Sequence, residues 1–146
     1  MPSERHKIIP SVYMILVRDG KILLARRANT GFMDGMYSFP AGHLEGSETL
    51  KQGAIREAKE EVGVDVKPSD AQLVHVVSRL GHDGERVGFF FRTEKWSGEP
   101  KIMEQDKCDD VAWFEVDAVP ENTVDYVKEA IKLFSKGETY SEFGWK

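Results

Sequence analysis

Between Gly42 and Val64 the chain reads GHLEGSETLKQGAIREAKEEVGV. Glycine is followed by Glu48, then Arg56-Glu57, then Glu60-Glu61, then Gly63 and an aliphatic residue. Three of the acids, Glu57, Glu60 and Glu61, stand at helical spacing. On a wheel turning about 100° per residue they share one arc, while Ala54, Ile55, Ala58 and Val62 share another. The apolar arc is the face to pack on a sheet, and the acidic arc aims three carboxylates at one spot. Like charges three and four residues apart destabilise a bare helix by about 0.2–0.5 kcal/mol per pair, so a cation is needed to offset them. Oxygen ligands of this kind suit Mg²⁺ or Mn²⁺, and no His or Cys joins the cluster to favour zinc. Arg56 adjoins Glu57, and its rigid fork can orient Glu57 or Glu48. The competing reading is a solvated acidic face neutralised by Lys51, Arg56 and Lys59. The Phe39-Pro40-Ala41-Gly42 loop, which brings backbone groups to the acidic face, favours a metal site.

Positioning these groups requires a helix over Ser47–Val62, with Ser47 as the candidate N-cap and Gly63 as the stop. Upstream, Val12–Val17 and Lys21–Ala25 flank Arg18-Asp19-Gly20, and Asp-Gly is a hairpin signal. Asn29 to Gly35 reads as a loop, and Tyr37–Pro40 as a short strand end feeding the Gly42 loop. Leu73–Leu80, Val87–Trp96 and Val111–Val116 read as strands, and Ile102 to Asp109 as a charged loop. A second helix is expected at about Thr123–Ser135, with Val124, Val127, Ile131 and Phe134 on one face. Strands mixed with two separated helices predict an α/β fold with a sheet between helices.

Whole-chain properties fit this picture. A chain of 146 residues with 40% apolar and 31% charged residues predicts one domain with a substantial core. The net charge of −5 and the lack of a basic stripe argue against a nucleic-acid polymer as partner. A metal ion can still bridge an acidic site to a polyphosphate. Cys108 is the single cysteine, which rules out an intrachain disulfide and a cysteine-rich zinc site. The expected setting is the reducing cytoplasm. MPSERHK followed by Ile8–Val17 imitates a secretory signal, but Pro10, Ser11 and Tyr13 interrupt the apolar run, which reads as a strand. No segment is long enough to span a membrane.

The string G-x₅-E-x₇-R-E-A-x-E-E-x-G-V resembles the Nudix box over 23 residues, with Ala58 at a position usually held by an aliphatic residue. The hairpin before it and the strands and helix after it extend the resemblance over nearly the whole chain, with a core at about 7–136 and an aromatic tail at 137–146. The resemblance implies a Nudix-type α/β/α sandwich with a mixed sheet, hydrolysing nucleoside diphosphates linked to another group. It implies that Glu57, Glu60 and Glu61 bind Mg²⁺ with help from the Gly42 carbonyl, and that Glu48 and Arg56 lock the loop to the helix. Water attack on phosphorus needs a base. Glu57 is one candidate. Glu104, which follows Trp96-Ser97-Gly98-Glu99-Pro100 as in MutT-like members, is another, with Asp106 competing. The signatures of the ADP-ribose, diadenosine-polyphosphate, NADH and coenzyme-A groups are not matched. The remaining resemblance is to the MutT-like nucleoside-triphosphate group, with a nucleotide sugar or a non-catalytic nucleotide sensor as alternatives. Homodimers are common in such proteins.

Several residues outside the box bear on substrate choice. Arg26 and Arg27 end the second strand, where alternation lets only one reach phosphates, and Arg27 is favoured. His43 is placed to contact a phosphate or base, or to brace its loop. Among Phe89, Phe90 and Phe91, mostly core, one can offer a ring for base stacking, and Phe89 is selected. Tyr140, Phe143 and Trp145 are expected to dock the C-terminus, with a pocket cover or dimer contact as alternatives. Cys108 reads as a small buried residue rather than a nucleophile.

Overall fold

The fold begins at the Asp-Gly turn. Asp19 and Gly20 both take left-handed backbone (φ +53° and +76°), as a two-residue hairpin turn requires. In the computed structural model, which describes residues 4–146, this turn joins β1 (Ile9–Arg18) to β2 (Lys21–Arg27). The two strands pair only next to the turn, at Val17 with Ile22 and Arg18 with Lys21, and then part. Beyond that point β1 pairs with β4 (Ala41–His43) and, in parallel, with β6 (Gly84–Thr93). β2 pairs instead with β3 (Tyr37–Ser38) and β7 (Cys108–Glu115). The sheet is completed by β5 (Gln72–Gly81) and β8 (Tyr140–Phe143). Phe39-Pro40 crosses the gap between the parted strands, because β3 lies on β2 and β4 lies on β1.

Both faces of this mixed eight-stranded sheet are covered, so β1 is apolar on both sides rather than alternating. Val12, Met14 and Leu16 pack with Ala54, Ala58 and Val62 of α1 (Leu50–Val62). Tyr13, Ile15 and Val17 pack with Val127, Ala130 and Ile131 of α2 (Asp125–Phe134). The result is the expected α/β/α sandwich. A short 3₁₀ turn, Pro68–Asp70, precedes β5.

The start of α1 differs from the sequence reading. Ser47 has φ +68°, whereas an N-cap needs extended backbone. Thr49 supplies it (φ −76°, ψ 164°): its hydroxyl accepts from the Gln52 N–H, and the Gln52 side chain accepts from the Thr49 N–H, a reciprocal capping box. Gly63 ends the helix at φ +75°, as expected. Other boundaries also differ, among them the strand expected at Val87–Trp96, which runs from Gly84 to Thr93. The strand placed at Val111 begins at Cys108, and α2 begins after Val124. Residues 1–3 of the signal-like opening lie outside the described residues, and the apolar run after it is β1. The tail docks as β8 beside β5, and Trp145 Nε1 donates to the Ser78 carbonyl at 2.9 Å. No helix among the described residues is long and apolar enough to cross a membrane.

Replacing Thr49 by Ala is expected to cost about 1 kcal/mol in denaturant unfolding. Ser47→Gly, which relieves left-handed backbone at a non-glycine residue, is expected not to destabilise.

Candidate active site

Arg56 organises the acidic helix. Its Nε and Nη2 grip both oxygens of Glu48 at 3.0 and 2.9 Å, while Nη1 reaches Glu57 at 3.0 Å and Glu60 at 3.3 Å. Nη2 also donates to the His43 carbonyl at 3.3 Å. Glu48 in turn accepts from the Glu45 N–H at 2.8 Å. One guanidinium thus ties the loop at 43–48 to the helix face. The Arg56 hydrogen bonds hold the Glu48 carboxyl below its ordinary range, and Glu48 holds the Arg56 pKa above its own.

Glu57 lies nearer the core than the wheel suggested, with 8% of its surface exposed. Its carboxylate occupies the space above Gly42, where a Cβ would sit 2.0 Å from Oε2. Gly42, in register with Val12 on β1, therefore serves as a floor where any side chain would displace the Glu57 carboxylate. Glu61 accepts from the Ala41 N–H at 3.2 Å. Burial, followed by the hydrogen bond and charge of Glu57, pushes the Glu61 carboxyl well above its usual range.

Glu104 reaches the same place through the end of α1. The last carbonyls of a helix lack partners within it. Here the loop after β6 supplies them: Lys101 N–H donates to Val62 at 3.0 Å, and Met103 N–H to Glu61 at 3.2 Å. That docking delivers Glu104 to a cleft of about 390 Å³ that it lines with Glu57, Glu60 and Glu61. Asp106 is exposed, and its carbonyl accepts from Asn29 at 3.1 Å. Glu99 makes a two-bond ion pair with Arg18 at 2.8 and 3.0 Å.

The remaining expected residues divide. Arg27 borders this acidic cleft and also a second one, of about 410 Å³, on the α2 side of the gap. Arg26 and Arg27 both line the acidic cleft, where the register of β2 against β7 shifts by one residue. Arg26 is engaged with Asp109 at 2.7 Å. His43 is exposed on the rim of the second cleft. Phe89 does not join either cleft. It faces α1, in register with Val12, while Phe90 takes the other face and stacks on Tyr13 with centroids 4.2 Å apart. The second cleft instead offers Phe32 and Tyr126, together with Arg79 and Arg86, none of them identified from sequence as binding residues. The available signal was the His82-Asp83-Gly84 turn, which sets Arg79 opposite Arg86. Cys108 is partly buried, and burial raises its thiol pKa, in line with a packing role.

A hard divalent cation fits these residues. The donors are carboxylate oxygens, and Glu57 and Glu61 crowd each other in a way such a cation relieves. Among the described residues no three carboxylate, His or Cys side chains already converge on one point.

A family model for the NUDIX domain matches residues 7–134. The chain belongs to the Nudix hydrolase family. Its sequence is 34% identical over 114 residues to the NAD-capped RNA hydrolase NudC of Pseudomonas aeruginosa strain LESB58, covering 78% of this chain and 38% of that protein. It is 37% identical over 114 residues to the NudC of Chromobacterium violaceum, covering 78% and 40%. The chain thus spans about two fifths of the length of these relatives. The crystal structure of a MutT Nudix hydrolase from Burkholderia pseudomallei superposes with TM-score 0.80 at 26% identity, covering 87% of this chain and 98% of that one. The MutT protein of Methanosarcina mazei Go1 shares the fold, with TM-score 0.79 at 22% identity and coverage of 92% and 97%. In this Nudix chain, Gly42, Glu48, Arg56, Glu57, Glu60 and Glu61 thus form one connected unit.

Gly42→Ala is expected to fold normally by circular dichroism yet lose about 100-fold in turnover, because the new methyl displaces the Glu57 carboxylate. A raised Glu61 pKa stabilises the metal-free fold below the ordinary carboxylate range, and that stability is lost as pH rises through the raised value. In EDTA, Tm is therefore expected to fall as pH rises above the ordinary carboxylate range, and less so in Glu61→Gln. Mg²⁺ is expected to raise the wild-type Tm most at the alkaline end, and to raise that of Glu61→Gln little.

Proposed function

We propose that this Nudix protein hydrolyses a nucleoside triphosphate, unmodified or with an altered base, to a nucleoside monophosphate and pyrophosphate. The observation that carries the reading is the gathering of Glu57, Glu60, Glu61 and Glu104 around one cleft bordered by Arg26, Arg27 and Lys107. Glu57, Glu60 and Glu61, with the Gly42 carbonyl, would hold Mg²⁺ or Mn²⁺. Bound there, the metal would neutralise phosphate charge and lower the pKa of a coordinated water. Arg27 lines both the acidic cleft and the second one, which supports a role for it where the phosphate chain would meet the nucleoside. Water attacks phosphorus, the bridging P–O bond breaks and pyrophosphate leaves. Glu104 is the favoured proton acceptor, because it lines the cleft while Glu57 is engaged by Arg56. His43 on the rim of the second cleft is a substrate contact in this reading. The setting is a cytoplasmic nucleotide pool.

The NudC relatives favour a second reading, in which the substrate is a dinucleotide pyrophosphate such as NAD or an NAD-capped RNA end. The absence of the NADH-type sequence string and the net charge of −5 weigh toward the free nucleotide. A pure sensor is disfavoured because every box carboxylate is retained.

A panel of nucleoside triphosphates, nucleotide sugars, NAD and NAD-capped RNA, assayed with Mg²⁺ and a coupled phosphatase where the products need one, tests the choice. Turnover should be fastest on a triphosphate. Glu57→Gln should abolish most of it, and Glu104→Gln should lower kcat by about 100-fold or more. Near-wild-type activity of Glu57→Gln would sink the reading.

A further inference from the structure

The second cleft carries more positive charge than a neutral nucleoside needs. Arg79 and Arg86 are direct cross-strand partners on β5 and β6. Like charges so placed repel, and both side chains are largely withdrawn from water, with 9% and 15% exposed. The hairpin provides one carboxylate for the two. Asp83 accepts from Arg79 Nη1 and Nη2 at 3.0 and 3.2 Å, and lies 3.8 Å from Arg86 Nε. That Nε is buried without a hydrogen-bond partner among the described residues. Among the described residues, Arg86 Nη1 donates to the Glu85 carbonyl alone, at 3.0 Å. Arg27, the third guanidinium of the cleft, bonds to neutral oxygens, the Phe32 carbonyl at 2.7 Å and the Thr30 hydroxyl at 3.2 Å. Among the residues lining the cleft, three guanidiniums thus face one carboxylate.

We infer that this cleft binds a phosphate monoester on the substrate, remote from the bond that is cut. The inference rests on the pyrophosphatase reading, because the two clefts meet at Arg27, Ser38 and Ala41 and one nucleotide can occupy both. A monoester carries a charge of about −1.5 to −2 near neutral pH, which suits a cleft whose lining guanidiniums outnumber Asp83, with Asp34 behind Arg27. Its oxygens suit guanidinium forks, and the unpartnered Arg86 Nε gains an acceptor. A neutral base edge would supply an acceptor but leave the charge uncompensated. Arg79 lies over the Tyr126 ring at 4.1 Å and Arg27 over Phe32 at 5.5 Å, so both cations are held on aromatic surfaces that also bound the nucleoside space. The substrate class is therefore a nucleotide with a second phosphate on its ribose, at the 2′ or 3′ position.

Calorimetric titration in EDTA tests this without metal or turnover. The probes are adenosine 2′,5′-bisphosphate and 3′,5′-bisphosphate against 5′-AMP, and guanosine 3′,5′-bisphosphate against 5′-GMP. At least one bisphosphate should bind about tenfold or more tightly than its 5′-monophosphate. The preference should collapse in Arg86→Gln, be partly kept in Arg86→Lys and weaken as salt rises. Where Arg86→Gln does not fold, the Lys variant and the salt series carry the test. Equal affinities, no binding at millimolar concentrations, a preference that survives Arg86→Gln or one that ignores salt would each overturn the proposal. Because no hydrolysis is read, turnover on the panel with equal affinities refutes this inference alone. A preference without turnover refutes the pyrophosphatase reading alone.

Discussion

Crowded carboxylates are the constraint around which the structure is arranged. Glu57 and Glu61 stand side by side in the cleft, and burial together with the charge of Glu57 favours a proton or a cation at Glu61. Arg56 keeps the cluster from relaxing. With one fork it holds Glu48 on the loop and with one nitrogen it holds Glu57 and Glu60 on the helix, so the acidic face cannot turn away from Gly42. The cap at Thr49 and the glycine stop at Gly63 fix the length of the helix that bears these groups. The closing loop that pairs with the Glu61 and Val62 carbonyls then sets Glu104 beside them. A local electrostatic cost is thereby held in place by ordinary helix-end chemistry at both ends.

The place where this happens is decided by the sheet. β1 and β2 separate after their shared turn, and each recruits its own partners. The chain must cross from one to the other at Phe39-Pro40, and the gap it spans opens into two clefts on opposite sides. Packing α1 on one face and α2 on the other makes the walls rigid, since β1 is buried throughout from Val12 to Val17.

The two clefts have opposite character. One gathers carboxylates, and the other gathers guanidiniums over aromatic rings. Arg27 belongs to both. A substrate laid across the gap would meet an acidic, metal-directed wall at its phosphoanhydride and a basic wall at its far end. On the proposed reading, charge alone would orient the substrate before any shape is considered.

How much of this was legible in the chain follows from the range of the interactions. The acidic helix, its stop, the Asp-Gly hairpin and the carboxylate-to-arginine spacing are local, within one or two turns of chain, so residue type and period fixed them. The box motif carried the fold with it. Glu104 was reachable only through its place after the Trp96–Pro100 stretch. What local pattern left open was which residue capped the helix and which face each aromatic took. Ser47 and Thr49 are both good caps by type, and only the left-handed backbone at Ser47 decided between them. Phe89 and Phe90 differ by one position, and β-strand alternation sends them to opposite faces once the register against β1 is set. Arg27, Arg79 and Arg86 lie on three different strands, and no spacing in the sequence joins Arg27 to the others. Sheet pairing brought them into one cleft, because partners in a sheet are chosen by hydrogen-bonded register and burial of both faces, which are properties of the assembled chain.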